Sequence, residues 1–228
     1  MNNTFSLSFP DAIIFDMDGV IIDTKEMVES FWIKKFEQFD LKIPEENFEE
    51  RFHGKPARLT IDQEFSFLSE AERTAMEQEI DEYDSSVDQF KLIPGIESFM
   101  RSCIDRDLPI ALVTSALPPK VEVMKKSLSF DPPFRTEVTA NRIKRGKPDP
   151  ECYNLALKEL GMAPDNVIVF EDSVSGVMAA AGSGARVIGV NEPHMHDKLL
   201  QSGAIRIIRN FKSASVDSKK QSLHFPSH

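Results

Sequence analysis

This chain of 228 residues reads as an α/β protein, a parallel sheet core with a helical segment inserted early in the chain. Two observations lead to that reading. From Leu92 onward, short apolar runs alternate with helical patterns, which implies βαβ units whose strands are covered on both faces. A further apolar run, 12–15, belongs with those strands but is cut off from them by a long charged stretch, 25–89, in which no convincing strand stands out. The length suits one large domain, or a core carrying a smaller insert.

The elements follow in order. The run AIIF at 12–15 favours β structure and stops at Asp16. In the insert, MVESFWIKKFEQF places Met27, Phe31, Ile33, Phe36 and Phe39 at roughly helical spacing, and LTIDQEFSFL and ERTAMEQEIDEYD continue the pattern. The chain crosses out of the core near 23–25 and back near 90–94. Beyond that return, strands are expected at 109–114, 136–139, 166–171, 186–190 and 204–208, with helices at 96–105, 120–128, 150–160, 173–181 and 197–201 between them. Gly161 supplies a C-terminal stop for the third of these helices. The segment 213–228 is polar and without periodicity, so it reads as a mobile tail. The expected division is therefore a core of 1–23 plus 92–212, the insert 24–91, and the tail.

Ligands of open parallel sheets bind beyond the carboxyl ends of the strands. Three apolar runs end there in polar groups: Asp16 with Asp18 two residues on, Thr114-Ser115, and Glu171-Asp172-Ser173. Lys147 lies in RGKPDPE, just ahead of a helix. Four carboxylates meeting in one crevice would raise one another's pKa unless a cation offset them. A hard, all-oxygen set suits Mg²⁺, which keeps several waters and bridges to phosphate. An ionised aspartate can serve as nucleophile while a neighbour moves protons.

The segments DMDGV (16–20), VTS (113–115), GKPDPE (146–151) and FEDS (170–173) resemble, in order, the four motifs of the haloacid dehalogenase-like superfamily. The resemblance covers roughly 10–210 and places the insert where members of subgroup I carry a helical cap on a Rossmann-like core. It implies a phosphatase or a β-phosphoglucomutase-like enzyme with Mg²⁺ as cofactor and a small phosphorylated substrate. Asp16 would attack phosphorus and form an aspartyl-phosphate. Asp18 would protonate the departing oxygen and then deprotonate the hydrolytic water. Thr114, with Ser115 and Ala116 and their backbone N–H groups, would hold phosphoryl oxygens, and Lys147 would screen charge beside Asp16. The metal would sit on Asp16, Asp172 and the backbone carbonyl of Asp18, with Glu171 acting through water. Gly19 would permit the tight turn after the first strand. In the cap, the loop containing His53, Gly54, Lys55 and Arg58 would close over the substrate.

Departures narrow the reading. True dehalogenases lack the second aspartate of the first motif, so Asp18 argues against dehalogenation. The mutases carry a histidine five residues after the position of Asp23, where this chain has Val28, so phosphate-ester hydrolysis is favoured over phosphoryl migration. A noncatalytic phosphate-sensing or partner-binding protein would have lost Asp16, Asp18 or Lys147, and all three are present.

The formal net charge of −10 disfavours a nucleic-acid-binding surface, which needs basic patches. No segment approaches the roughly 18 consecutive apolar residues of a membrane span, and no signal-peptide pattern opens the chain, so a soluble cytoplasmic protein is expected. Cys103 and Cys152 read as packed, reduced thiols, His194 and His196 as surface histidines, and Phe31, Trp32, Phe36 and Phe39 as cap core.

Overall fold

Six parallel strands form the central sheet of the computed structural model, which describes residues 4–226 apart from 45, 47, 54, 55, 213 and 218–221. The strands are β2 (Ala12–Phe15), β3 (Ile110–Val113), β4 (Glu137–Val138), β5 (Val167–Glu171), β6 (Arg186–Val190) and β7 (Arg206–Ile208), in the spatial order β4-β3-β2-β5-β6-β7. Each sits within about two residues of its expected place. The helices between them are α5 (Ile96–Ile104), α6 (Pro118–Ser127), α7 (Glu151–Leu160), α8 (Val174–Gly182) and α9 (His196–Gln201).

The period-2 geometry of a strand divides its side chains between two cores. Ile13, Phe15, Ile110, Leu112, Ile168 and Phe170 face one side, with Phe99 and Met100 of α5. Ala12, Ile14, Ala111, Val113, Val167 and Val169 face the other, against Tyr153 and Ala156 of α7 and Ala179 and Ala180 of α8. Both sides are dry, which is why these strands read as continuous apolar runs rather than alternating ones.

The expected mobile tail is corrected by the structure. Its described residues contain β8 (Ser215–Asp217) and β9 (Ser222–Pro226), and β9 pairs antiparallel with β1 (Thr4–Ser8) in a separate three-stranded sheet. Leu223 and Phe225 are fully buried, and the Phe225 ring lies 5.7 Å from both Phe99 and Phe170. The segment therefore covers the first core. Its pairing joins the two ends of the chain, a contact too distant in sequence for local periodicity to reveal. Truncating Phe225 to Ala is expected to lower stability by about 3–5 kcal/mol in urea denaturation. A loss below about 1 kcal/mol would return the segment to a peripheral role.

Between β2 and α5 the chain forms the insert: α1 (Lys25–Gln38), α2 (Phe48–Phe52), α3 (Ala57–Glu64) and α4 (Glu70–Ser85). Its own core is aromatic, with Phe31, Trp32, Phe36, Phe52 and Phe65 packed at centroid distances of 5.2–6.0 Å, Trp32 stacked on Phe65 and the other pairs edge-on or tilted. Ser69 and Glu72 form a reciprocal cap at the start of α4. The outgoing and returning crossings pair with each other: the Asp23 N–H donates to the Lys91 carbonyl at 2.8 Å and the Ile93 N–H to the Ile21 carbonyl at 2.9 Å.

Candidate active site

The sheet order decides where chemistry can gather. β2 lies between β3 and β5, so the carboxyl end of β2 is flanked by Thr114 on one side and Glu171 on the other. Phe15 is in register with Phe170, which sets Asp16 beside Glu171. The loop carrying Lys147 comes in from the start of α7, and all four segments meet at one point.

Lys147, wholly inside the protein, spans two carboxylates. Its Nζ donates to Asp16 Oδ1 at 2.6 Å and forms a very short contact with Glu171 Oε1. Tyr153 Oη donates to Glu171 Oε1 at 2.9 Å, and the Ser173 N–H donates to Glu171 Oε2 at 3.0 Å. Glu171 is fully buried and does not line the cavity, so within this arrangement it anchors Lys147 and the turn into α8. Ser173 Oγ then caps α8 by accepting from the Gly176 N–H at 3.0 Å.

Asp16 and Asp172 face the cavity, and carboxylate oxygens of Asp16, Glu171 and Asp172 lie within 4.8 Å of one another. Burial pushes the Asp16 carboxyl up to about 8; Lys147 pulls it down, while Glu171 and Asp18 add to the rise. Asp172 is raised too, through burial and then Glu171 and Asp16. Three crowded hard oxygens with a single ammonium between them are short of positive charge, and this donor set fits a divalent cation. Gly19 makes the approach possible. Its φ is +71°, and a Cβ there would stand 2.0 Å from Asp172 Oδ2. Gly19→Ala is accordingly expected to destabilise the protein by about 1–3 kcal/mol and to displace Asp172, read as a lowered melting temperature together with weakened divalent-cation binding.

Asp18 points away from this cluster. Thr24 Oγ1 donates to its Oδ1 at 2.7 Å, and Lys120 Nζ pairs with the same oxygen at 2.9 Å. Burial would raise the Asp18 carboxyl, but Lys120 and the Thr24 hydrogen bond outweigh it and hold the group below its usual value. Thr114 is buried, and its Oγ1 accepts from the Ala116 N–H at 3.0 Å; Ser115 and Ala116 also line the cavity.

The cavity lies between insert and core and measures about 590 Å³. His53 lines its roof; its Nε2 has no hydrogen-bond partner among the described residues, with Glu29 Oε1 3.8 Å away, and burial, with Lys25 nearby, pushes the imidazole down to about 4. Gly54 and Lys55 lie outside the described residues. Arg58 does not line the cavity. It pairs instead with Asp62 at 3.0 Å, the i+4 acid on its own helix, and with Glu70 at 2.6 Å in the first turn of α4. The expectation of a substrate contact from Arg58 is withdrawn.

Lys120 is the residue that sequence reasoning missed. Pro118 and Pro119 start α6 directly after the Thr114 loop, placing Lys120 in the first turn. A lysine in the first turn sits unfavourably at the positive end of the helix dipole, and that position was the available signal for acidic partners nearby. Cys103 and Cys152 are both buried and free, and burial pushes their thiols up to about 12 and about 11. No helix among the described residues is long and apolar enough to cross a membrane.

Residues 13–190 match the haloacid dehalogenase-like hydrolase family. Hexitol phosphatase A of Escherichia coli (strain K12) is 32% identical over 183 residues, covering 80% of this chain and 83% of the relative. A phosphorylated carbohydrates phosphatase of Thermotoga maritima is 32% identical over 206 residues, covering 87% and 94%. Among solved structures, a β-phosphoglucomutase from Clostridium difficile superposes with a TM-score of 0.74 at 26% identity, covering 89% of this chain and 92% of that one. The order of the motif segments, the strand ends they occupy and a family match over most of the chain agree: this protein is an enzyme of the haloacid dehalogenase-like hydrolase family.

Proposed function

We propose that this enzyme is a Mg²⁺-dependent phosphatase that hydrolyses a small phosphorylated metabolite, with a carbohydrate phosphate the leading class, through an aspartyl-phosphate on Asp16. One observation carries the reading. Asp16 sits at the centre of the sheet against a buried ammonium, on the floor of a cavity between insert and core large enough for a phosphorylated sugar. The phosphatase names of two relatives support the substrate class.

An Asp16 oxygen attacks phosphorus in line as the ester P–O bond breaks, and the departing oxygen takes a proton from Asp18. Asp18 then removes a proton from water, whose oxygen attacks the same phosphorus and releases phosphate and free Asp16. Thr114 and the N–H groups of Ser115 and Ala116 hold phosphoryl oxygens, and Lys147 keeps Asp16 in line and offsets its charge. Asp16, Asp172 and the Asp18 backbone carbonyl would hold the cation, with Glu171 as the negative group behind them. When bound, the metal offsets the charge that builds on the phosphoryl oxygens. The insert acts as the cap that excludes bulk water.

A mutase cycle would have to seat a bisphosphate. The roof carries Glu77, Asp81 and Asp84, spaced to share one face of α4, and Glu26 nearby. Asp84 is paired with Lys120, while Glu77, Asp81 and Glu26 repel a second phosphate and accept hydrogen bonds from hydroxyls, and Val28 occupies the place of the mutase histidine.

The test is phosphate release from a panel of sugar, hexitol and other metabolite phosphates, with Mg²⁺ and with EDTA. Release from a monophosphate is expected, falling at least about 10²-fold in EDTA, with a hexose 1,6-bisphosphate turned over about tenfold less efficiently. Folded protein that releases no phosphate from any compound refutes the phosphatase, and interconversion of a hexose 1-phosphate and 6-phosphate would make it a mutase.

A further inference from the structure

Asn191 stands at the carboxyl end of β6, two strands away from β2, and its side chain reaches across to the corner that carries Asp172. Its Nδ2 donates to the Asp172 backbone carbonyl at 2.9 Å, and its Oδ1 accepts from the Glu192 N–H at 2.7 Å. The two bonds settle the orientation of the amide, since only its oxygen can take the Glu192 proton. The carbonyl of Asp172 and the N–H of Ser173 belong to one planar peptide unit. The other end of that unit is held as well, because the Ser173 N–H donates to Glu171 Oε2 at 3.0 Å. Asn191 is itself fixed to the core: its N–H donates to the Ile208 carbonyl at 3.0 Å, and its own carbonyl accepts from His196 Nε2 at 3.1 Å. The Asp172 carboxylate meanwhile lies hard against Gly19, so a swing of the peptide unit drives it into that turn or away from Asp16.

We propose that Asn191 is a positioning residue for the divalent-cation site, acting on Asp172 through its backbone without touching the cation. This rests on the cation binding of the phosphatase reading, in which Asp16 and Asp172 would supply oxygens. Mg²⁺ demands near-octahedral geometry at almost fixed distances, so such a site is only as tight as its donors are well placed. Two carboxylates that repel each other in the empty site have to be held in position before the cation arrives. Glu171 and Asn191 hold Asp172 from opposite ends of one peptide unit, the first as acceptor and the second as donor. An uncharged amide suits that place. A lysine would compete with the cation for Asp172, and a carboxylate would have no proton for the carbonyl. Removing Asn191 Nδ2 leaves every cation-binding oxygen in the chain but frees the Asp172 carbonyl to turn. Affinity for the cation then falls while the loaded site still works.

The experiment uses the full chain, with Mg²⁺ binding read by titration calorimetry and turnover of p-nitrophenyl phosphate followed across a Mg²⁺ series. Asn191→Leu, close in volume but unable to donate, is expected to weaken Mg²⁺ binding by about 10- to 100-fold. Its kcat at saturating Mg²⁺ should return to within about threefold of wild type, with KM for the ester little changed. Asn191→Gln, which restores a donor on a longer stem, should recover part of the affinity. A merely structural role would instead lower the metal-free melting temperature, and kcat at every Mg²⁺ concentration, with the Mg²⁺ dissociation constant within about twofold of wild type. That outcome overturns the proposal. Should Asn191→Leu fail to fold, Asn191→Ser decides by the same constant, since its shorter side chain falls short of the Asp172 carbonyl and adds no bulk. Wild-type protein that binds Mg²⁺ but releases no phosphate from any ester would sink the phosphatase reading alone. An unchanged Mg²⁺ constant in a folded variant would sink the brace alone, and wild-type protein that takes up no Mg²⁺ would sink both.

Discussion

Asp16→Asn is expected to remove phosphate release, with kcat down by at least about 10³-fold, while the protein remains folded. The two side chains have nearly the same shape, and Asp16 is only 5% exposed, so the substitution opens no cavity. The amide oxygen can still accept from Lys147, which also retains Glu171. What disappears is the anionic oxygen proposed to form the bond to phosphorus. Stability should change little or rise, because burial and the neighbouring acids already push the Asp16 carboxyl up to about 8 and a neutral group relieves that crowding. Steady-state phosphate release and thermal melting measured on one preparation separate the two effects. A well-folded Asn variant retaining more than about a tenth of wild-type kcat would remove Asp16 as nucleophile.

The second large effect is expected for Lys147→Met, which should lose both activity and stability. Met fills most of the volume but leaves Asp16 and Glu171 facing each other inside the protein without the ammonium that joins them. Breaking a buried ion pair by removing one partner costs about 3–5 kcal/mol, and loss of a preorganised charge beside the transferring phosphoryl group costs about 10²–10³ in kcat. The stability deficit should depend on pH in a definite sense. A carboxyl raised in the folded state contributes stability that is complete below its unfolded value, 3.8 for Asp16, and is lost as pH climbs through the folded value. Without Lys147 the upward push on Asp16 is unopposed. The melting-temperature gap between variant and wild type is therefore expected to narrow toward pH 4 and widen toward pH 8, in metal-free buffer. A gap that is constant across that range would assign the loss to packing instead.

The reach of the sequence is clearest at β2, β3 and β5. A strand dry on both faces must be continuously apolar, so its end is marked by the first polar residue, and Asp16, Thr114 and Glu171 announce themselves. The cap aromatics were equally legible, since a helix that packs rings on one side repeats at helical spacing. The strands β1, β8 and β9 were not. Thr4–Ser8 and Ser222–Pro226 alternate polar and apolar residues over only five positions, a short period-2 signal that leaves open which strand each one pairs with, and their pairing joins opposite ends of the chain.

Arg58 and Lys120 show the same limit at the level of single charges. Both are cations close to the segments that bear chemistry, and the Gly-containing cap segment points to Arg58 while nothing in the sequence around Lys120 singles it out. Tertiary placement reverses that order: α4 takes up Arg58 within the cap, while Lys120 is buried between Asp18 and Asp84. The sequence alone determined the alternating α/β order and the identity of the polar residues at the strand ends, because burial on both faces writes itself into local composition. Only the tertiary structure decided which charges pair and which ends of the chain meet, because electrostatic partners and antiparallel edges are chosen by distance in space.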